Sequence, residues 1–293
     1  MHKPHIPSVD DNGLNLSAPG NRSPLKFFLL VFALSIPFWI VGAVIQIQLL
    51  PSIPISALMV AAPATAALIL VYRENKSAGV KALLKRSFDF NRVKAKIWWV
   101  PIILLMPSVL ILSYIVMYLM GAQLLKPQLD ATTIIFLFAL FFIAALGEEL
   151  GWSGYAIDPL QDRFGALWAS LIVGVGWVVW HLIPLLQVPQ SLTFIAWWSL
   201  GTLAYRVIIT WLYNNTGRSV FVAAFFHTMI NLVFQLFPVN GSYLYDPRVT
   251  GLILAVVAIV VVIVWGPQTM MRTRNARRSN VPGSISTVEE TSR

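Results

Sequence analysis

The chain has no cysteine, which excludes disulfides, thiolate nucleophiles and cysteine-held metals. Charge is scarce as well. Asp, Glu, Lys and Arg make up 11% of the 293 residues, against roughly a quarter in a soluble domain. A chain so thinly charged and 57% hydrophobic cannot cover itself against water, so its solvent is lipid. Only four histidines are present. No internal connection is long enough to hold a second domain. The net charge of +9 sits outside the apolar runs, where anionic lipid headgroups rather than nucleic acid are the expected partner.

What remains is a succession of apolar runs, each near the roughly 20 residues that cross a bilayer as helix. Eight spans are expected, at about 26–49, 54–72, 97–120, 132–158, 166–186, 192–213, 219–237 and 250–266. The expected fold class is all-α, a polytopic membrane bundle of about eight transmembrane helices. Residues 1–25 read as a disordered cytosolic tail with no cleavable signal peptide, so the first apolar run serves as anchor. Residues 26–266 form the membrane domain, with its core at about 130–240, and 267–293 form a basic tail. Residues 73–96 read as a basic loop, solvated or lying on headgroups as an amphipathic helix. With the N-terminus in the cytosol, eighteen Lys and Arg fall inside, and only Lys126 and Arg248 outside. That bias places both termini in the cytosol, the natural site being the plasma membrane.

Ionisable groups inside lipid are costly and default to a functional reading. Few residues pass that filter: Glu148 and Glu149, His181, His227, the amide Asn231 and the cation Arg206. At about 1.5 Å per helical residue, Glu148 lies roughly 15 Å from the cytosolic end of its span, His227 roughly 13 Å, Asn231 roughly 20 Å and His181 roughly 24 Å. These groups can therefore meet in one cavity, expected to open toward the cytosol. His227 and Asn231 share a helix face, as do Trp177 and His181, and as do Glu148, Trp152 and Tyr155. Gly147, Gly151 and Gly154 let helices approach closely there.

Such a set supports hydrolysis. A carboxylate in apolar surroundings is a competent general base toward water, imidazoles hold the water, and an amide N–H meets a developing oxyanion. Glu148, His181 and His227 also make a plausible zinc ligand set, although no single helix carries an HExxH pair. Zinc is then the cofactor the residues admit, while the chemistry does not require one. The bland readings are interfacial carboxylates for the Glu pair, interhelical hydrogen bonds for His227 and Asn231, and a snorkelling cation for Arg206. Trp197, Trp198, Trp211 and Tyr213 read as an interfacial belt.

Three motifs give a family resemblance: Glu148-Glu149-Leu150-Gly151-Trp152-Ser153-Gly154-Tyr155, then Trp177-Val178-Val179-Trp180-His181, then His227-Thr228-Met229-Ile230-Asn231. In that order, each in an apolar helix, they resemble the CAAX-protease and bacteriocin-processing (CPBP, or Abi) family of intramembrane proteases, related to the type II CAAX prenyl endopeptidases. The resemblance implies an eight-helix bundle with a cavity open to the cytosol. It makes Glu148 the general base and Glu149 a supporting carboxylate. His181, His227 and Asn231 position water and stabilise the oxyanion. The implied substrate is a peptide or lipidated protein. The family is often labelled metalloprotease, yet some members work as glutamate-dependent enzymes without a clear metal. One departure matters: the family arginine is Ser153 here. Arg206, at similar depth on another span, is the candidate replacement. Two other classes fit the buried ionisable groups, a proton-coupled transporter and a catalytically inactive scaffold.

Overall fold

The computed structural model describes residues 22–188, 190–239 and 246–271. Most of the two expected tails lies outside the described residues. The folded chain runs five residues past the expected end at 266. There Ala166 and Leu167 donate to the Gln268 and Pro267 carbonyls, and the side chains of Asn214 and Asn215 donate to the carbonyls of Thr269 and Met270.

Helices dominate because lipid offers backbone groups no partner, and a helix satisfies them internally. Their starts are fixed locally. Ser23, Asp130, Ser191, Ser219 and Asp246 each accept a backbone N–H of the first turn, and Pro24 and Pro247 stand where a missing N–H costs nothing. The helices are α1 (Pro24–Val44), α2 (Ala61–Lys85), α3 (Trp99–Leu119), α4 (Ala131–Gly151), α5 (Ile157–Phe164), α6 (Ala166–Leu186), α7 (Leu192–Asn215), α8 (Val220–Leu236) and α9 (Pro247–Trp265). A small antiparallel hairpin, β1 (Gln48–Leu50) with β2 (Ile53–Pro54), joins α1 to α2 through a 3₁₀ turn at Ile55–Val60.

Among the described residues, seven stretches are long and apolar enough to cross a bilayer. The eighth, α8, has 17 residues and is about 25 Å long, at the lower limit for a span. Large apolar side chains such as Ile143 and Ile263 point outward, 70% and 76% exposed. That is a lipid-facing surface rather than a wet one. The expected basic loop at 73–96 is mostly helix: α2 runs through a kink at Lys76 to Lys85, and 3₁₀ turns follow at Arg86–Arg92 and Lys96–Trp98.

α4 is the central element. It packs against α2 on one side and α8 on the other, while α7 packs against α6 and α9. Two glycines allow the α2–α4 approach. A Cβ on Gly147 would lie 2.7 Å from the Val60 carbonyl oxygen, and one on Gly151 would lie 2.6 Å from that of Pro63. After Gly151 the chain widens into one π-helical turn, Trp152–Ala156, before α5. Widening frees backbone carbonyls, and the Gly154 oxygen accepts from both Arg22 (3.1 Å) and Arg86 (2.9 Å).

The two ends of the bundle differ. At one end Arg22, Arg86, Arg92 and Arg218 tie α1, the α2–α3 connection, α5 and α8 together. Asp89, in that connection, accepts from Ser219 Oγ (2.6 Å) and Phe221 N (3.0 Å) and so anchors the start of α8. The other end carries the hairpin, the α6–α7 turn and the ends of α3 and α8, where Gln128 N donates to the Pro238 carbonyl at 2.8 Å.

Candidate active site

α4 ends its regular course on two adjacent carboxylates. Adjacent helical residues point about 100° apart, so the two face different neighbours. Glu149 turns inward to α7 and α8. Arg206 grips it with two parallel bonds, Nη1 to Oε1 at 3.0 Å and Nη2 to Oε2 at 2.8 Å. Both side chains are fully buried. Ser153, one turn on, donates to Glu149 Oε2 and accepts from Arg206 Nη2 at 2.9 Å. His227 Nδ1 lies 3.1 Å from Glu149 Oε1. A carboxylate has about four acceptor positions, and protein donors fill all of them. Burying a charge pair is tolerable only with this degree of geometric satisfaction.

Glu148 is placed otherwise. Its Oε2 accepts from Trp177 Nε1 at 2.7 Å, and its Oε1 lies 4.0 Å from His227 Nε2. Glu149 is an acceptor, so His227 donates through Nδ1 and turns Nε2 toward Glu148. His181 Nδ1 sits 2.9 Å from the Trp177 carbonyl, which likewise leaves Nε2 as its free nitrogen. Its ring is held among Trp177, Trp180 and Trp198, at centroid distances of 5.6, 4.7 and 5.6 Å.

Glu148, Trp177, His181, His227 and Asn231 line one cavity of about 350 Å³. The structure thus brings together every expected catalytic residue except Glu149, which sits behind Glu148 and outside the cavity lining. Trp152 and Tyr155 do not belong to the site. Trp152 packs on Phe27 and Trp180, and Tyr155 donates to Glu74 at 2.6 Å under the Arg22 guanidinium. The π-helical turn breaks the regular spacing that put them on the face of Glu148. The expected aromatic belt is also corrected. Trp198 lines the cavity, Trp211 packs between Trp98 and Trp265, and Tyr213 donates to Asp158 at 3.0 Å.

The cavity runs in one direction along the bundle. Its lining runs from Glu148 back to Leu140 on α4, from Trp177 on to Val188 on α6, and from His227 on to Gln235 on α8, meeting the hairpin at Ser52. That course leads away from the basic end. Below Glu148 the path is filled by Trp152, Tyr155 and Phe27, all fully buried.

The expected zinc set is not assembled. Among the described residues no three of His, Asp and Glu stand close enough to share an ion. The indole N–H on Glu148 and the backbone tie on His181 each fix a prospective ligand separately.

Trp177 carries more than the sequence suggested. The aromatic-before-histidine motif pointed to a brace for His181. Its indole also holds Glu148, meets the His227 ring edge-on at 4.9 Å and underlies the Arg206 guanidinium at 5.5 Å. Thr202 and Tyr205, unremarked in the sequence, complete the α7 wall.

Comparison with known proteins agrees with this site. The family described as type II CAAX prenyl endopeptidase Rce1-like matches residues 130–233, the stretch holding all three motifs. CAAX prenyl protease 2 of Methanococcus maripaludis is 29% identical over 261 residues, covering 82% of this chain and 93% of that protein. Motifs, matched segment and near full-length relative point the same way: the chain is similar to type II CAAX prenyl endopeptidases of the Rce1-like kind.

Proposed function

We propose that this chain is an intramembrane endopeptidase that hydrolyses a peptide bond of a membrane-associated or lipidated peptide with water activated by Glu148 and His227. The observation that carries the reading is the pair itself. Glu148 Oε1 and His227 Nε2 stand 4.0 Å apart at the inner end of the cavity. That separation suits two acceptors sharing one water molecule. Both accept its protons, and the water lone pair is left for the substrate carbonyl carbon. As the oxygen–carbon bond forms, Glu148 takes the proton. Asn231, one turn beyond His227 on the cavity wall, donates to the oxyanion. The proton on Glu148 then passes to the leaving amine. Glu149 takes no proton; it orients His227, as a carboxylate behind a catalytic imidazole does. The basic end faces the cytosol in this reading, following the distribution of Lys and Arg.

The relative is named a CAAX prenyl protease, so a quenched peptide ending in a prenylated CAAX sequence is the first substrate to offer, with its unprenylated twin beside it. Purified wild type cleaves at least one of them in this reading, and Glu148→Gln cleaves neither. Equal cleavage by Glu148→Gln would refute the assignment of the base.

A further inference from the structure

We propose that Arg86 is a positioning residue for the reaction: one guanidinium ties together the segments that carry Glu148, Arg206 and His227, and so sets the spacing of Glu148 and His227 on which water activation depends. The inference rests on the endopeptidase reading and adds to it a residue outside the cavity.

The need for such a tie begins at the π-helical turn. Glu148 and Glu149 stand at the end of α4, and Trp152–Ala156 follows directly. A π-register seeks its donor five residues on. For the Gly154 carbonyl that position is Pro159, which has no N–H. Two arginines from other elements meet the carbonyl instead, through Arg22 Nη1 at 3.1 Å and Arg86 Nη1 at 2.9 Å. Arg22 otherwise lies over the Tyr155 ring. Arg86 reaches further. Its Nη2 donates to the Tyr213 hydroxyl at 2.7 Å and to the Arg218 carbonyl at 2.8 Å.

Each acceptor leads to one part of the site. Gly154 lies six residues past Glu148, across the turn. Tyr213 lies seven past Arg206, on the same face of α7, and Arg206 holds Glu149. Arg218 immediately precedes Ser219, the cap of the helix that carries His227. Asp89, three residues from Arg86, accepts from Ser219 Oγ and Phe221 N, so the α2–α3 connection grips the start of α8 twice. Glu148 Oε1 and His227 Nε2 are 4.0 Å apart, too far for a direct hydrogen bond, so their spacing depends on how α4 and α8 are held. A guanidinium suits the task, because its planar fork presents several donors at fixed angles. The Arg86 side chain is only 18% exposed, so water competes little for its bonds.

Three substitutions separate positioning from stability. Arg86→Gln removes the fork. Tyr213→Phe keeps the ring and removes one acceptor. Arg92→Gln is the control, since Arg92 ties the same connection to the Gly217 carbonyl at 3.1 Å and to Asp89. Each variant is purified in detergent, its unfolding temperature measured, and the prenylated CAAX peptide supplied below that temperature. Arg86→Gln is expected to lower kcat about 10- to 100-fold with KM unchanged, as a small displacement of reacting groups does. Arg86→Lys is expected to recover only part, because a single ammonium does not reproduce the fork. Arg92→Gln is expected to keep the wild-type kcat. A second readout does not need cleavage. The chain has four histidines, so nitrogen NMR signals of isotope-labelled histidine can be assigned by substituting each in turn. The His227 signals should move in Arg86→Gln and Tyr213→Phe and stay in place in Arg92→Gln. Unmoved His227 signals or a wild-type kcat in folded Arg86→Gln would overturn the proposal, as would equal losses in Arg86→Gln and Arg92→Gln. Should Arg86→Gln fail to fold, Tyr213→Phe carries the same comparison. If the wild type cleaves no peptide, the endopeptidase reading fails, while the His227 signals still decide whether Arg86 sets the geometry.

Discussion

Glu149 receives four protein hydrogen bonds and Glu148 receives one. The neighbours alone separate their roles, since the residues are the same and adjacent. A carboxylate with every lone pair engaged holds its surroundings in place; one with an oxygen facing a cavity can take a proton. The two should therefore fail differently. Glu149→Gln leaves the Arg206 guanidinium buried without its counter-charge, a loss of about 3–5 kcal/mol, visible as a lower unfolding temperature in detergent and poor yield. Glu148→Gln keeps an acceptor for the Trp177 indole and should unfold with the wild type. Trp177→Phe keeps the aromatic packing and removes only the N–H on Glu148. It is expected to lower activity about 10- to 100-fold, as loss of an orienting partner does, with unfolding little changed. A Trp177→Phe enzyme of undiminished activity would contradict the orienting role.

Between elements, the informative feature is which helix supplies the arginine that meets Glu149. The family motif carries it one turn after the second glutamate, where this chain has Ser153. Arg206 of α7 reaches the same carboxylate and bonds the same serine. Similar depth on two spans was legible in the sequence. The contact was not, because helical spacing says which residues share a face but not which helix that face meets. If the charge has moved intact, Arg206→Ser should be strongly destabilised, and Ser153→Arg combined with Arg206→Ser should recover part of the loss. Failure of the double variant to exceed the single one would show that position on α7, and not merely the charge, is required. The α2–α4 contact offers a separate test. Gly151→Ala drives a methyl group into the Pro63 carbonyl, backbone that cannot rotate aside. Overpacking of this kind costs about 1–3 kcal/mol, whereas the tightest neighbour of a Cβ on Gly154 is a Leu83 methyl group at 3.0 Å, so Gly154→Ala should be milder. Equal stability of the two variants would argue against close α2–α4 packing as the function of Gly151.

Across the whole molecule, the apolar runs marked the order of the membrane-spanning helices, since in lipid each such run has little alternative to helix, although the fourth run breaks into α4, the π-helical turn and α5. The three motifs marked the site because ionisable groups survive in lipid only where something uses them. What escaped the sequence was local irregularity. The π-helical turn moved Trp152 and Tyr155 off the face of Glu148, and the α2 helix extended through a charge-rich stretch that reads as loop. The sealed basic end depends on contacts among α1, α4, α5 and α7 that no single segment displays.

The most direct measurement compares peptide termini in membranes from cells making wild type or Glu148→Gln at equal levels, read by mass spectrometry. Water activation by Glu148 predicts termini that appear with wild type and are absent with Glu148→Gln, although the variant accumulates and unfolds normally. The same new termini from both proteins would contradict it.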